Sequence, residues 1–163
     1  MTRHESIAKV APDPTGKRSR VGLTYIGVFR ASPLERIDMI KHGLRATEAK
    51  RILGDLAMGQ GVALKALNLS PATINKKAKQ DQNLSADESE RVLGVVKLVG
   101  QLEAMVQESG NPEGFDAAAW LSRWLRDPLP AFGGMRPVEL MDTMEGQALV
   151  SNTLARVQSG AYA

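Results

Sequence analysis

The sequence predicts an almost wholly α-helical fold, and three observations carry that reading. Apolar residues recur at helical i, i+3, i+4 spacing from Leu34 onward, strand-like alternation is nearly absent, and helix-capping residues stand ahead of several apolar runs. Only seven of 163 residues are aromatic, yet 43% are hydrophobic and 24% charged, enough apolar material for one modest core or two small ones.

Residues 1–24 read as a flexible basic arm. Pro12, Pro14, Gly16 and the run Lys17-Arg18-Ser19-Arg20 offer no apolar periodicity to pack. Val21 to Phe29 suits one short extended segment. Ser32 and Pro33 then supply an N-cap and a first-turn proline, Glu35 adds an early acid, and Ile37, Ile40 and Leu44 form the apolar stripe of a helix that Gly43 helps to end. A second helix from Thr47 to about Met58 places Ala49, Ile52, Leu53 and Leu56 on one side and closes at Gly59 and Gly61. Val62 to Leu67 makes a third helix, Asn68-Leu69-Ser70 a tight turn, and Ser70-Pro71 opens a fourth helix running to about Gln80.

Ser85, with Glu88 three residues later, forms a capping box that starts the longest helix, Asp87 to about Glu108. Val92, Val95, Val99, Leu102 and Val106 give it a core stripe, and Gly94, Leu98, Gln101 and Met105 a second line around its side. A helix covered on two faces either runs through a core or meets a second copy of itself, so Leu98, Gln101 and Met105 are the candidate dimerisation residues. Residues 109–114 are the clearest break and a candidate hinge. Beyond it lie a helix from Phe115 to Leu125 with Phe115, Ala119 and Trp120 inward, a turn from Asp127 to Gly134, a short helix from Pro137 to Met141, and a last helix from Glu145 to about Gln158. The expected organisation is therefore an arm (1–24), a helical unit (25–82), a long connecting helix (83–110) and a small C-terminal bundle (111–163).

Helix, three-residue turn and helix across Val62 to Gln80 match a helix-turn-helix, whose second helix enters the DNA major groove. Leu67, Leu69, Ile74 and Ala78 fit its buried side. Lys76, Lys77 and Lys79 are candidate phosphate contacts, with Lys65 from the preceding helix; Asn75 suits a bidentate contact to adenine, and Thr73 a thymine methyl or a phosphate. Two positions depart from the usual pattern. Asn68 stands where glycine is common, and Lys77 where an apolar residue is.

Charge divides along the chain in the same sense. Residues 1–20 carry five Lys/Arg against two Asp/Glu, residues 21–82 ten against five, and residues 83–163 six against eleven, for a net +3 overall. A basic front suits a polyanion such as duplex DNA, and an acidic back a different partner. Absence of cysteine excludes disulfides and thiolate metal sites, and no apolar run approaches a membrane span, so a cytosolic protein without cofactor or metal is expected. His4 and His42 form no catalytic cluster recognisable from spacing, and no phosphate-cradling glycine loop is present, so no enzyme is expected; Asp38 with His42 reads as a surface pair.

The most specific pattern lies near the end. Trp120-Leu121 is followed by Pro130-Ala131-Phe132-Gly133-Gly134-Met135-Arg136-Pro137-Val138-Glu139-Leu140, then Thr143, Gly146 and Gly160-Ala161-Tyr162. This stretch resembles the C-terminal toxin-binding domain of the Xre/MbcA/ParS antitoxins. Upstream, Tyr25 to Arg30, the Glu35 to Leu44 helix and Leu84 to Arg91 resemble the N-terminal part of the same proteins, so the likeness spans residues 25–163. The resemblance implies a homodimer that represses its own operon by binding operator DNA, and a small bundle that packs on a Res-domain toxin, an NAD-consuming enzyme, and covers its active site. Leu129, Phe132, Met135 and Arg136 around the turn, and Arg156, Tyr162 and Ala163 at the end of the chain, are then the candidate toxin-binding residues. The alternative reading is a helix-turn-helix transcription regulator whose C-terminal bundle binds a small ligand or another protein.

Overall fold

The computed structural model describes residues 22–158; the basic arm ahead of Gly22, and Tyr162 and Ala163, lie outside the described residues. The described chain forms α1 (Tyr25–Arg30), α2 (Pro33–His42), α3 (Ala46–Gly54), α4 (Gln60–Ala66), α5 (Pro71–Lys79), α6 (Ala86–Glu108), α7 (Ala117–Trp124) and α8 (Met144–Gln158). Two 3-10 helices, Pro130–Phe132 and Pro137–Leu140, lie between α7 and α8; the second stands where a short helix is expected. Among the described residues there is no strand, only an isolated bridge between Arg45 and Asn83.

An extended segment is expected over Val21 to Phe29, but from Tyr25 onward the chain is helix instead. The segment's β-branched and aromatic residues favour a strand, but the described residues hold no neighbouring strand to pair with. Instead Thr24 caps α1 by accepting from the Gly27 N–H, Val28 turns into the core, and the Tyr25 hydroxyl donates to the Ile52 carbonyl at 2.9 Å. Burial, with help from the nearby Asp55 and Glu103 carboxylates, pushes the Tyr25 phenol up to about 12. Arg36 closes the other end of α1, donating to the carbonyls of Val28, Phe29 and Ala31 that a helix terminus leaves unpaired.

The capping box of α2 is present, with Ser32 and Glu35 each bonding the other's backbone N–H. Its apolar stripe is not buried as expected, however. Leu44 is in the core and Ile40 half-buried, but Ile37 is 45% exposed and Leu34 77%. The helix leans on α6 along one edge and leaves its outer side uncovered. Helices α3 to α5 form a compact unit around Ala49, Ile52, Leu53, Leu64 and Ile74, sewn to α6 where the Leu84 N–H meets the Leu44 carbonyl and the Leu44 N–H meets Ser89 Oγ.

All of these elements gather on α6, whose cap and core stripe match the sequence pattern. Its second line, which carries the candidate dimerisation residues Leu98, Gln101 and Met105, packs against other parts of the same chain. Gln101 exchanges hydrogen bonds with Ser151 of α8, Leu98 is 2% exposed, and Gly94 lies beneath Gln147, whose amide donates to the carbonyls of Arg91 and Met141. Met105 packs, half-buried, against the same core. Within the chain, the two apolar faces of the long helix are those of a helix running through a core.

Glycines at 110 and 114, both with positive φ, return the chain so that α7 packs back on α6. Asp116 caps α7 through the Ala119 N–H, so the helix begins at Ala117 and Phe115 falls ahead of its phase. Ala117, Leu121 and Leu125 therefore face inward, not Phe115 and Ala119, and Trp120 stacks on Trp124 with ring centres 6.1 Å apart. Core residues form one continuous cluster from Val28 to Leu154. No helix among the described residues is long and apolar enough to cross a membrane.

Gly100 sets the spacing between α1 and α6. A β carbon there would stand 2.1 Å from the Tyr25 carbonyl oxygen, backbone that cannot swing aside. Gly100→Ala should therefore destabilise by about 2–3 kcal/mol, lowering Tm by roughly 5–10 °C. Gly61→Ala, in α4 with nothing within 4 Å of the added carbon, should be neutral or stabilising by about 0.5 kcal/mol; thermal denaturation of the two variants checks the contrast.

Candidate functional site

Helices α4 and α5 meet through the turn at Leu67-Asn68-Leu69. Leu67, Leu69 and Ile74 are buried, and the Leu69 N–H reaches back to the Leu64 carbonyl at 2.9 Å. Asn68 adopts φ 54°, the left-handed conformation that makes glycine usual here and asparagine an acceptable substitute. Arg91 of α6 holds the turn from behind, its guanidinium donating to the carbonyls of Leu67 and Asn68. Ser70 caps α5 and Pro71 starts it, so the N-terminal half of this helix projects from a fixed base.

On the outer side of this unit Lys65, Thr73, Lys76 and Lys79 are exposed and Asn75 is half-buried. Lys77 differs from its neighbours. Its ammonium pairs with Glu88 in the first turn of α6, and both side chains are largely covered. Burial would raise the Glu88 carboxyl, but the hydrogen bonds from Lys77 and from Ser85 hold it below its ordinary value. Lys77 thus ties the recognition helix to α6, which accounts for a lysine at a position where such units more often carry an apolar residue.

In the C-terminal part, the residues of the Trp-Leu to Thr-Gly pattern each have a structural task. Gly133 and Gly134 take φ of 64° and 88°, closing a turn in which the Gly134 N–H bonds to the Leu129 carbonyl and the Leu129 N–H to the Met135 carbonyl. Glu139 accepts from the Arg136 N–H, and Val138 is tied to Leu125 at the end of α7. Thr143 accepts from the Gly146 N–H at the start of α8. Gly146 must lack a β carbon, which would lie 1.9 Å from the Leu140 carbonyl oxygen.

Around this turn the structure brings together Leu129 and Phe132, half-buried, with Arg136, exposed, and Met135, which is 46% exposed. Arg156 is not part of that group. It sits on the last turn of α8, about 15 Å along the helix from Gly146, where Leu140 of the second 3-10 helix meets α8.

One feature of the surface escapes the sequence reading. Three adjoining hollows of about 400, 230 and 420 Å³ form a groove with α6 as floor, α2 as one wall and α8 as the other. Lys97 lines all three. Arg36 lines two, and Ile37, Ile40 and Met144 supply apolar surface. Burial, and the Arg36 charge beside it, push the Lys97 amine below its ordinary value. A signal was available: Lys97 is the one charged residue between Val92 and Leu102. Among the described residues no three His, Cys, Asp or Glu side chains gather as a metal site, and His42 pairs with Asp38 at 3.2 Å on the surface.

Comparison with known proteins places two families on these two regions. Residues 35–97 match the Antitoxin Xre-like helix-turn-helix domain, and residues 101–160 the Antitoxin Xre/MbcA/ParS C-terminal toxin-binding domain. The chain is 55% identical over 154 residues to a protein of Sphingobium sp. (strain YBL2) named Prs ADP-ribosylating antitoxin, covering 91% of this chain and 97% of that one. It is 27% identical over 88 residues to an Antitoxin Xre of Pseudomonas putida, covering 54% and 50%, and 23% identical over 122 residues to an Antitoxin Xre of Photorhabdus laumondii, covering 75% and 77%.

Two outcomes follow from the helix-turn-helix geometry. Asn68→Ala should cost about 1 kcal/mol of stability because a β-carbon residue without a polar tip resists positive φ, and Asn68→Gly should not; urea titration separates them. The Glu88 carboxyl is lowered in the folded state, so its contribution is present at neutral pH and is lost as pH falls below the unfolded value of 4.5. Glu88→Gln should flatten that acid limb of the stability profile while leaving the alkaline side unchanged.

Proposed function

Because the chain belongs to the Xre/MbcA/ParS antitoxin family, and is thus an antitoxin with a helix-turn-helix domain, we propose that it neutralises a Res-domain toxin by covering that enzyme's active site and represses its own operon through α5. The observation that carries this reading is the placement of two different surfaces on one chain. Exposed lysines on α4 and α5 suit phosphates, while the exposed Met135 and Arg136 and the half-buried Leu129 and Phe132 around the Gly-Gly turn have the residue types enriched at protein interfaces. Asn75 at the flank of α5 is the proposed base-reading residue, with Thr73 beside it and Lys65, Lys76 and Lys79 on the DNA backbone. Lys77 is left out of that set by its pair with Glu88.

We propose further that the toxin consumes NAD. The Sphingobium relative carries ADP-ribosylation in its name, and ADP-ribose is a fragment of NAD. That name also favours a second reading of the toxin's chemistry, transfer of ADP-ribose onto a protein rather than its release into solution. Incubating the toxin with labelled NAD separates the two: label on protein supports transfer, and free ADP-ribose supports degradation.

Co-expression with the toxin should restore growth and cellular NAD, and the double variant Met135→Asp, Arg136→Glu should lose that rescue while still binding operator DNA. A toxin equally harmless beside both forms contradicts occlusion by this surface. In gel-shift titrations across salt, Lys76→Ala or Lys79→Ala should weaken binding to all sequences alike and reduce the salt slope by about 0.9 each. Asn75→Ala should instead lose about 1–3 kcal/mol of discrimination for the operator.

A further inference from the structure

We propose that the groove between α2 and α8 receives an acidic segment of the toxin, one that sets a carboxylate against Lys97 and apolar side chains against Ile37 and Met144. The inference rests on the antitoxin reading given above and adds to it a second contact surface, distinct from the Gly-Gly turn.

Lys97 is half-buried on the groove floor and has no hydrogen bond or ion pair among the described residues. Its charged neighbour is another cation, Arg36, whose guanidinium is engaged with the carbonyls at the end of α1. The carboxylates that line the groove, Glu90 and Glu108, lie about two and three helical turns of α6 away. A half-covered ammonium without a counter-ion has lost part of its hydration, and an arriving carboxylate offsets that loss while the remaining water is expelled.

The shape favours a polypeptide over a small anion. From Glu90 to Glu108 the floor is about 27 Å long, the length of a five-turn helix, and its sides carry Ile37 and Met144, 45% and 39% exposed, which a small anion would leave wet. Position favours the toxin as the source of that polypeptide. The α8 wall lies within the matched toxin-binding domain and most of the α2 wall within the matched helix-turn-helix domain, so an occupant touches both. Such an occupant is placed to couple toxin binding to the DNA-binding unit.

Carbodiimide joins an amine directly to a carboxylate in contact with it, so the test is to treat the purified toxin–antitoxin complex with it and map the linked peptides by mass spectrometry. Lys97 linked to an Asp or Glu of the toxin is the expected result. Lys97→Arg should abolish that link and keep the affinity, whereas Lys97→Met should weaken the complex at least about tenfold with operator binding unchanged. A link from Lys97 to a carboxylate of this chain or of a second copy overturns the proposal, as does a Lys97→Met variant that binds the toxin like the native protein. If the native pair forms no complex, the antitoxin pairing itself fails and this inference falls with it.

Discussion

The close approach of α1 and α8 to α6 is the contact on which the other packing depends. Helix axes normally stand 8–10 Å apart because β carbons and their branches keep them there. Gly100 lets the Tyr25 carbonyl come within the space a β carbon would fill, and Gly94 does the same for the amide of Gln147. With those two approaches made, α6 is buried along most of its length, and α1, α7 and α8 become parts of one core with the helix-turn-helix unit. The polar groups brought inside are matched, Gln147 by two carbonyls and Gln101 by Ser151, and no buried side-chain N or O among the described residues lacks a hydrogen-bond partner.

That arrangement places the two candidate surfaces in mechanical contact. Arg91 receives the Gln147 amide on its carbonyl and presents its guanidinium to the turn between α4 and α5. Glu88, one turn earlier, holds Lys77 of the recognition helix. α8 is thus bonded to the residue that holds the turn between α4 and α5, and α5 to the start of α6. The chain is basic ahead of residue 83 and acidic after it, so surfaces that share one spine differ in charge.

Much of this was legible in the sequence because local chemistry specified it. Ser32 with Glu35 and Ser85 with Glu88 announced two helix starts, and Asn68 a left-handed turn. What escaped depended on tertiary context. Val21 to Phe29 has strand-forming residues, yet Tyr25 to Phe29 become helix because α6 offers a glycine and the described residues hold no partner strand. The second apolar line of α6 fitted a dimer as well as a core, since periodicity reports that a face is covered and not by what. The stripe on α2 held at Leu44 and in part at Ile40, whereas Ile37 has the right spacing but is left 45% exposed at the edge of the groove. For the candidate site, Lys65, Thr73, Lys76 and Lys79 are outward as their pattern suggested, whereas the Lys77 pair and the Lys97 groove arise from elements distant in sequence.

Helix α6 joins the helix-turn-helix and C-terminal parts into one cooperative unit. Equilibrium unfolding in urea tests it directly, because both tryptophans lie on α7 and report the C-terminal part alone, while helical circular dichroism reports all eight helices. Coincident transitions with one midpoint are predicted. Two separated transitions, with the tryptophan signal lost before or after a large part of the helix signal, would contradict it.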